Sequence, residues 1–479
     1  MIFLGLDIGT SAVKAVLVGD GETVVGEASA PLSSVQPKPG WSEQDPEDWW
    51  RATETVVASL RSSAPDAFQA IAAIGLSGQM HGAVLLDAAD KVVRPAILWN
   101  DGRAILECAE LEAEVPDLAQ IAGVIAMPGF TAPKLRWLRN HEPERFKRTA
   151  RILLAKDYVR LRLAGEHATD MVDAAGALLL DEAKREWSEA IIAAAGLRLD
   201  QMPRLLEGSA PSGTLLPSVA SAWGVDPTVV VAAGAGDAAA GAIGAGAIAE
   251  GDSFISLGTS AQYFVTREAY EPKPETLIHA FAHALPGRWF EMAAMMNGAR
   301  PLDWAARLAG ETDIAGRLQR LEERFAGPSP VLFLPYLSGE RTPHNDPEAR
   351  GVFAGLDLSS GADDLFQAVL EGTVFSFMDA QLALKAAGRA VAPIPALGGG
   401  ARSRFWLKLI ASGLGVPILR HAGSDKGPAF GAARLARLAL TGEAPGAVCT
   451  KPAVVETIDP DPGLHDAYQE RFQRYRALY

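Results

Sequence analysis

The chain has 479 residues, 48% of them hydrophobic and 21% charged, and a formal net charge of −14 at pH 7. That length exceeds what one ordinary core organises, so two domains are expected of a composition that is globular throughout. The acidic balance, with no block of Lys or Arg, excludes nucleic acid and an anionic membrane surface as partners; an anionic ligand has to be held locally, against the overall field.

The first stretch, LGLDIGTSAVKAVLV (Leu4 to Val18), consists of two β-branched apolar runs hinged on Asp7-Ile8-Gly9-Thr10-Ser11. It predicts a strand, a tight turn and a returning strand. No basic or cleavable leader precedes it, and Cys108 and Cys449 form neither a CxxC nor a Cys/His cluster. A reducing, cytoplasmic setting without a zinc site or disulfide scaffold is therefore expected. Asp45-Pro46 then opens a helix, with an acidic cap followed by proline at its first position. Trp49, Thr53, Val56, Val57 and Leu60 share one face of it. IAAIGLSGQM and RPAILWND read as strands that end in polar, Gly-containing loops. Strands alternating with helices indicate α/β layers.

TVVVAAGAGD leads into the Gly/Ala-rich segment Val230–Ala249. This segment is long enough to span a bilayer, but Asp237 near its middle argues against that. After it the hinge recurs in FISLGTSAQYFV (Phe254 to Val265), followed by strands in VLFLPYLSG and PIPALGGG and a long helix in DLFQAVLEGTVFSFMDAQLALKAAG. The expected division is residues 1–245 and 246–479, around a shared cleft.

Glycine in the two hinges lets main-chain N–H groups approach an anion such as phosphate, and two such turns would grip one polyphosphate from opposite sides. Asp7, at a strand end beside one of them, is placed to hold Mg²⁺, and Lys14 to reach phosphate. Gly234-Ala235-Gly236-Asp237-Ala238-Ala239 formally satisfies a dinucleotide fingerprint, yet a carboxylate there repels a pyrophosphate. Asp237 suits a general base for a hydroxyl attacking phosphorus, or else a helix N-cap. Gln79, Met80 and His81 sit at a strand end, where polar groups commonly line a ligand crevice. Gly398, Gly399 and Gly400 offer bare backbone to a flat ring or to phosphates. No Walker A sequence occurs, so any ATP site lacks a P-loop.

Together these stretches resemble the FGGY carbohydrate kinase family, within the actin, hexokinase and Hsp70 ATPase superfamily, over essentially the whole chain. GFTAPKLRWLRNH (Gly129 to His141) resembles the family's first signature and GVFAGLDLSSGADDLFQAVLE (Gly351 to Glu371) its second. WSEQDPEDWW, GQMHGA, AILWNDGR, FLPYLSGERTPHN and GGGARS most resemble the members that act on D-xylulose. The resemblance implies an α/β protein of two actin-like (ribonuclease H-like) domains, each a mixed sheet with flanking helices around a central cleft. It implies transfer of the ATP γ-phosphate to the 5-hydroxyl of D-xylulose, with ATP and Mg²⁺ as cofactors.

By matching motif positions, the resemblance makes Asp237 the base and Asp7 the residue that organises the metal. Gln79, Met80, His81, Trp99 and Asp101 would join Asp237 in contacting the sugar. Gly9, Thr10, Ser11 and Lys14 would face Gly258, Thr259 and Ser260 as paired phosphate loops, with Gly398, Gly399, Gly400 and Ala401 near the adenosine. One departure stands out: the family usually carries an amide after the catalytic aspartate, and this chain has Ala238. The rival readings are a kinase for another ketose or polyol, an NAD-dependent oxidoreductase using the Gly234 fingerprint, and a non-catalytic sugar sensor. A homodimer is left open by the sequence.

Overall fold

The computed structural model describes residues 1–389, 393–423 and 427–479. The first apolar runs form the expected hairpin: Ile2–Ile8 pairs antiparallel with Ala12–Gly19, Ile8 opposite Val13, and Val24–Pro31 extends the meander. Ile71–Gly78 lies parallel to the first strand on its other side, followed by Val230–Ala232, also parallel, and by Pro211–Thr214, antiparallel at the edge. The short strand Ala235–Gly236 pairs with the end of Ile71–Gly78 and completes a seven-stranded sheet.

The second half repeats the plan. Ser253–Leu257 and Ala261–Arg267 form the second hairpin, Trp289–Met295 and His279–Ala282 extend it, and Ile394–Leu397 and Ile418–His421 lie parallel on the other side, with Val454–Ile458 antiparallel at the edge. Each half is thus the mixed, helix-flanked sheet of an actin-like domain, and the recurring Gly-Thr-Ser hinge marks equivalent hairpins in a repeated topology.

The helix Pro46–Ser63 forms as its cap predicts, with the Asp45 carboxylate accepting from Glu47 N at 3.0 Å. Its Trp49, Val56, Val57 and Leu60 enter the first core beside Leu4, Leu6 and Leu17. The long helix Ala362–Ala386 buries Phe366, Val369, Phe375 and Phe377 under the second sheet. RPAILWND yields only the two-residue strand Ala96–Ile97, because its partner strand Glu43–Gln44 is itself two residues long. Within Val230–Ala249 the helix covers only Asp237–Ala245 and stops at Gly246, whose φ is 71°. Among the described residues no helix is long and apolar enough to cross a membrane.

One helix ties the halves together. Gly427–Thr441 comes from the second half of the chain but lies on the first sheet, its Ala429, Phe430, Ala433 and Ala436 packed with Phe3, Val16, Val18 and Ala73. The approach is backbone on backbone. A Cβ at Gly5 would fall 1.9 Å from Ala429 O, one at Gly75 1.8 Å from Ala432 O, and one at Gly431 1.8 Å from Ala240 O in the helix Asp237–Ala245. Arg434 clamps the crossing, pairing with Glu22 at 2.7 Å and donating to Ile243 O at 2.9 Å. A methyl group that meets fixed backbone forces the elements apart, so Gly75→Ala and Gly431→Ala are expected to lower unfolding stability by about 3 kcal/mol or more. Gly241→Ala, where no atom lies within 4 Å, is expected to gain up to about 1 kcal/mol as a helical alanine. Urea midpoints of the three variants test this; equal responses would show that the close approach is not limiting.

Candidate active site

Asp7 is the next-to-last residue of the first strand, beside Ser77 of the parallel neighbour and opposite Lys14 across the hairpin. Burial pushes its carboxyl up to about 6, while the Ser77 hydroxyl and the Lys14 charge pull the other way. One of its carboxylate oxygens is buried without a hydrogen-bond partner. Asp237 begins the helix Asp237–Ala245, whose cap is Gly236 and makes no side-chain hydrogen bond. The N-cap alternative for Asp237 is thereby set aside. Gly234 takes φ 78° just before it, and a Cβ there would lie 2.0 Å from Leu76 O, so only glycine lets the strand turn here. Burial and then the charge of Asp7 push Asp237 up to about 7, with the Ala238 N–H opposing. Asp237 lines the cleft and Asp7 lies buried close enough for its charge to act on Asp237, so negative charge is concentrated here.

Thr10 and Ser11 of the first hairpin and Thr259 and Ser260 of the second line one cavity of about 280 Å³ together with Asp237, Met80, His81 and Trp99. His81 is buried, with a left-handed φ of 74°, and its Nδ1 meets Gly176 O. Since a carbonyl only accepts, Nδ1 carries the proton and Nε2 is left as an acceptor. Burial and the nearby Arg341 hold the imidazole well below its ordinary range, hence neutral. Lys134 Nζ fixes the same turn from behind, donating to His81 O at 3.1 Å and Ile97 O at 3.2 Å.

Gln79 and Asp101 lie outside this cavity wall. Gln79 donates to Gln44 Oε1 at 2.8 Å and accepts from Thr10 Oγ1 at 3.1 Å, and Trp99 Nε1 donates to the same Thr10 oxygen at 2.9 Å. Its amide is spent on holding the first hairpin turn. Asp101 is saturated by Ser42 N at 2.6 Å and by the Arg103 guanidinium at 2.7 Å. The motif reading missed Asn100, Gln262, His279 and Arg341, which line the cavity. Asn100 and Arg341 stand inside stretches already singled out and Gln262 inside the second hinge. His279 gave only the signal of a polar residue opening an apolar strand. Arg341 reaches across the cleft, donating to Trp99 O at 2.7 Å.

Beyond Asp237 the cleft continues. A cavity of about 420 Å³ is lined by Lys14, Asp237, Gly258, Ser260, Gly398 and Gly399. It shares Gly258 and Gly399 with a chamber of about 720 Å³ whose walls include Leu302, Ile314, Leu318, Phe405 and Trp406. Gly400 lines that chamber, whereas Ala401 is buried beneath the turn and lines neither space. The order along the cleft is thus a polar chamber, the acidic pair between two hairpins, and an apolar slot edged by glycine backbone.

Two actin-like halves share this cleft, and the chain belongs to the FGGY family of carbohydrate kinases. The model of the family's N-terminal domain matches residues 2–244 and that of its C-terminal domain residues 253–440. The chain is 46% identical over 479 residues to the xylulose kinase of Escherichia coli (strain K12), covering 100% of this chain and 98% of that protein. The crystal structure of a xyloylose kinase from Brucella ovis matches with a TM-score of 0.94 and 48% identity, covering 100% of this chain and 99% of that one. That of the xylulose kinase from Rhodospirillum rubrum matches with a TM-score of 0.88 and 31% identity, covering 100% and 98%. Family membership replaces the dinucleotide reading of Gly234–Ala239, whose glycines serve the strand turn instead.

A buried ionic cluster buttresses the site. Lys156 Nζ lies 2.6 Å from Asp157, 2.5 Å from Asp170 and 2.7 Å from Asp173, all fully buried, so an ammonium occupies the centre where three carboxylates converge. Asp170 caps the helix Met171–Gly176, which ends in the carbonyl that orients His81. Arg160, paired with Asp157, donates to Ala233 O just before the turn to Asp237. Burial, opposed by Lys156 and reinforced by Asp170 and Asp157, pushes the Asp173 carboxyl well above its usual range. Removing the central charge strands the others, and Lys156→Met is expected to cost about 3–5 kcal/mol of stability. Guanidinium unfolding measures this; a loss under about 1 kcal/mol would show the cluster to be dispensable.

Proposed function

We propose that this carbohydrate kinase transfers the γ-phosphoryl group of ATP to the 5-hydroxyl of D-xylulose, giving D-xylulose 5-phosphate and ADP. The observation that carries the reading is the Asp7–Asp237 pair set between two Gly-Thr-Ser hairpins, in a chain that matches xylulose kinases along its whole length. The division into a sugar-holding and a nucleotide-holding domain is placed between residues 245 and 246.

The acceptor sugar occupies the 280 Å³ chamber against Met80, His81 and Trp99. The adenine ring lies in the apolar chamber along Gly399 and Gly400, and the phosphates run back past Lys14 between the hairpins. Asp237 accepts the 5-hydroxyl proton as that oxygen bonds to the γ-phosphorus and the bond to the ADP oxygen breaks. A carboxyl raised to about 7 suits a base working near neutrality. The unpartnered oxygen of Asp7 and the mutual repulsion of the two acids fit a divalent cation, and Mg²⁺ is the ion proposed. Bound there, it neutralises charge on the transferred phosphoryl group. Asn100 and Gln262, lining the same chamber, supply the amides that Ala238 does not.

A coupled ADP-release assay over ketopentoses, polyols and aldoses tests the reading, with D-xylulose expected to give the highest kcat/KM. Turnover confined to another sugar class would replace the substrate, and none at all would remove the kinase reading. Asp237→Asn is expected to lower kcat by roughly 10²–10⁴-fold while ATP affinity persists, the usual worth of a positioned base. Because a base must be unprotonated, wild-type kcat/KM should fall with decreasing pH through a midpoint at or below about 7. Metal at Asp7 moves that midpoint down, and Asp237→Asn abolishes the limb. Asp7→Ala should raise the Mg²⁺ concentration for half-maximal rate and depress the rate itself; an unchanged metal titration would leave Asp7 a turn former only.

A further inference from the structure

His279 opens the strand His279–Ala282 at the edge of the second sheet, opposite Met292 of the neighbouring strand. Its side chain lines the same chamber as Met80, His81 and Asp237, yet it comes from the other half of the chain. The residue is only 1% exposed, and neither Nδ1 nor Nε2 has a hydrogen-bond partner in the protein. Its neighbours explain why: the ring stands edge-on to Phe130 at 5.5 Å and tilted against Phe281 at 5.2 Å, and neither phenyl group offers an acceptor. Burial and the Arg341 charge push its pKa down to about 3, so the ring is neutral, with one nitrogen donating and the other accepting. Buried polar groups in native proteins are nearly always paired, and an imidazole left with two free nitrogens carries a desolvation cost that a phenylalanine of similar shape would not.

The two other buried histidines near this wall are each engaged locally. His81 gives Nδ1 to Gly176 O, and His283 accepts from Leu285 N at 3.3 Å. His279 alone of the three is left wholly for whatever enters the chamber. Phe130 stands between His81 and His279, 4.7 Å from the first ring and 5.5 Å from the second, so imidazoles from opposite halves flank one apolar wedge.

We propose that His279 is a sugar-binding residue contributed by the second half of the chain, hydrogen-bonding hydroxyl groups of the acceptor through both ring nitrogens. This rests on the carbohydrate-kinase reading of the chamber. A hydroxyl both donates and accepts, so a polyhydroxy chain satisfies the pair, whereas an acceptor deoxygenated at that position leaves the imidazole buried and unpaired. Such sites discriminate strongly because the loss falls on a desolvated group. With His81 on one wall and His279 on the other, the sugar also joins the two halves, and binding favours closure.

The test is D-xylulose binding to the full-length protein without nucleotide, by calorimetry and by thermal shift, in wild type, His279→Phe and His279→Gln. His279→Phe is expected to weaken sugar affinity roughly tenfold or more, as for a lost buried hydrogen bond. It should raise KM by more than it lowers kcat, and leave the melting temperature without sugar unchanged or higher, since two unpaired polar atoms are removed. His279→Gln, which keeps a donor and an acceptor, should recover part of the affinity. Wild-type affinity in His279→Phe overturns the assignment, as does a fall in the sugar-free melting temperature with affinity intact, the mark of a packing residue. If His279→Phe does not fold, His279→Gln decides: sugar affinity intermediate between wild type and background supports the role, and unchanged affinity together with unchanged KM overturns it. Wild-type protein that binds D-xylulose without ATP turnover overturns the kinase reading and leaves His279 standing. Wild-type protein that binds no D-xylulose overturns both.

Discussion

Backbone meeting backbone at the crossing of Asp237–Ala245 and Gly427–Thr441 fixes where Asp237 stands against the first sheet. Both helices begin at the cleft: the first carries Asp237 on its opening residue, and Gly427 and Pro428 of the second line the chamber behind it. Because Gly431 lets the helices touch through their main chains, and Gly5 and Gly75 let the second lie directly on the first sheet, little side-chain slack remains between Asp237 and the strand that carries Asp7. Interiors packed at this closeness shift as discrete units rather than deforming. The second hairpin, by contrast, belongs to the other sheet, and its distance from the acid pair is set by how the halves meet. The seam therefore separates what must be rigid, the acid pair, from what must move.

That rigidity is used electrostatically. In a chain of net charge −14, an anionic substrate is attracted only where oriented donors outweigh the background. On the proposed reading, the donors would be main-chain N–H groups of the hairpins and the start of the helix at Asp237, joined by Lys14, which lines the cavity. Two buried carboxylates in the same place look counterproductive until a divalent cation is included. Burial first, and then the charge of Asp7, lift Asp237 toward neutrality, which suits the base role proposed for it, and a cation held by Asp7 would relieve the repulsion. The Lys156 cluster shows the opposite solution a short way off: three acidic side chains closed around an internal ammonium, with Arg160 as a second cation.

The fold was legible where local chemistry and tertiary need coincided. The hinge Asp7–Ser11, the Asp45-Pro46 cap and the two long signatures each carry their own stop and start signals, and the structure follows them. The repeat was nearly hidden, because equivalent strands need only be apolar and of similar length, and only Gly-Thr-Ser must recur. RPAILWND misled because an apolar run does not reveal whether a partner strand waits beside it. In the site, motif positions point to Met80, His81, Trp99 and Asp237, which line the chamber, and also to Gln79 and Asp101, whose polar groups hold the hairpin turn and Arg103. Sequence position does not reveal this: Met80 and His81 both line the chamber while adjacent Gln79 turns to the first hairpin, so the packing of the loop decides which way each side chain faces. His279 was out of reach because its meaning is carried by missing partners, which only three-dimensional packing reveals.

The distribution of sugar contacts between the halves bears on how the enzyme avoids wasting ATP. Water is a far more abundant acceptor than any sugar, and Asp237 has no means of telling one hydroxyl from another. Discrimination must come from geometry: the reactive arrangement should exist only when the acceptor has drawn the second hairpin onto the first. Arg341 already bridges to Trp99 O, and Trp99 in turn donates to Thr10, so contacts made on the second half's wall are passed directly to the first hairpin. A ligand engaging His81 and His279 together strengthens that bridge, whereas a water molecule, too small to span Phe130, engages only one side. Sugar-facing polar groups on both halves would thus make the substrate a structural part of a closed state, and would make hydrolysis slow for a geometric reason rather than a chemical one.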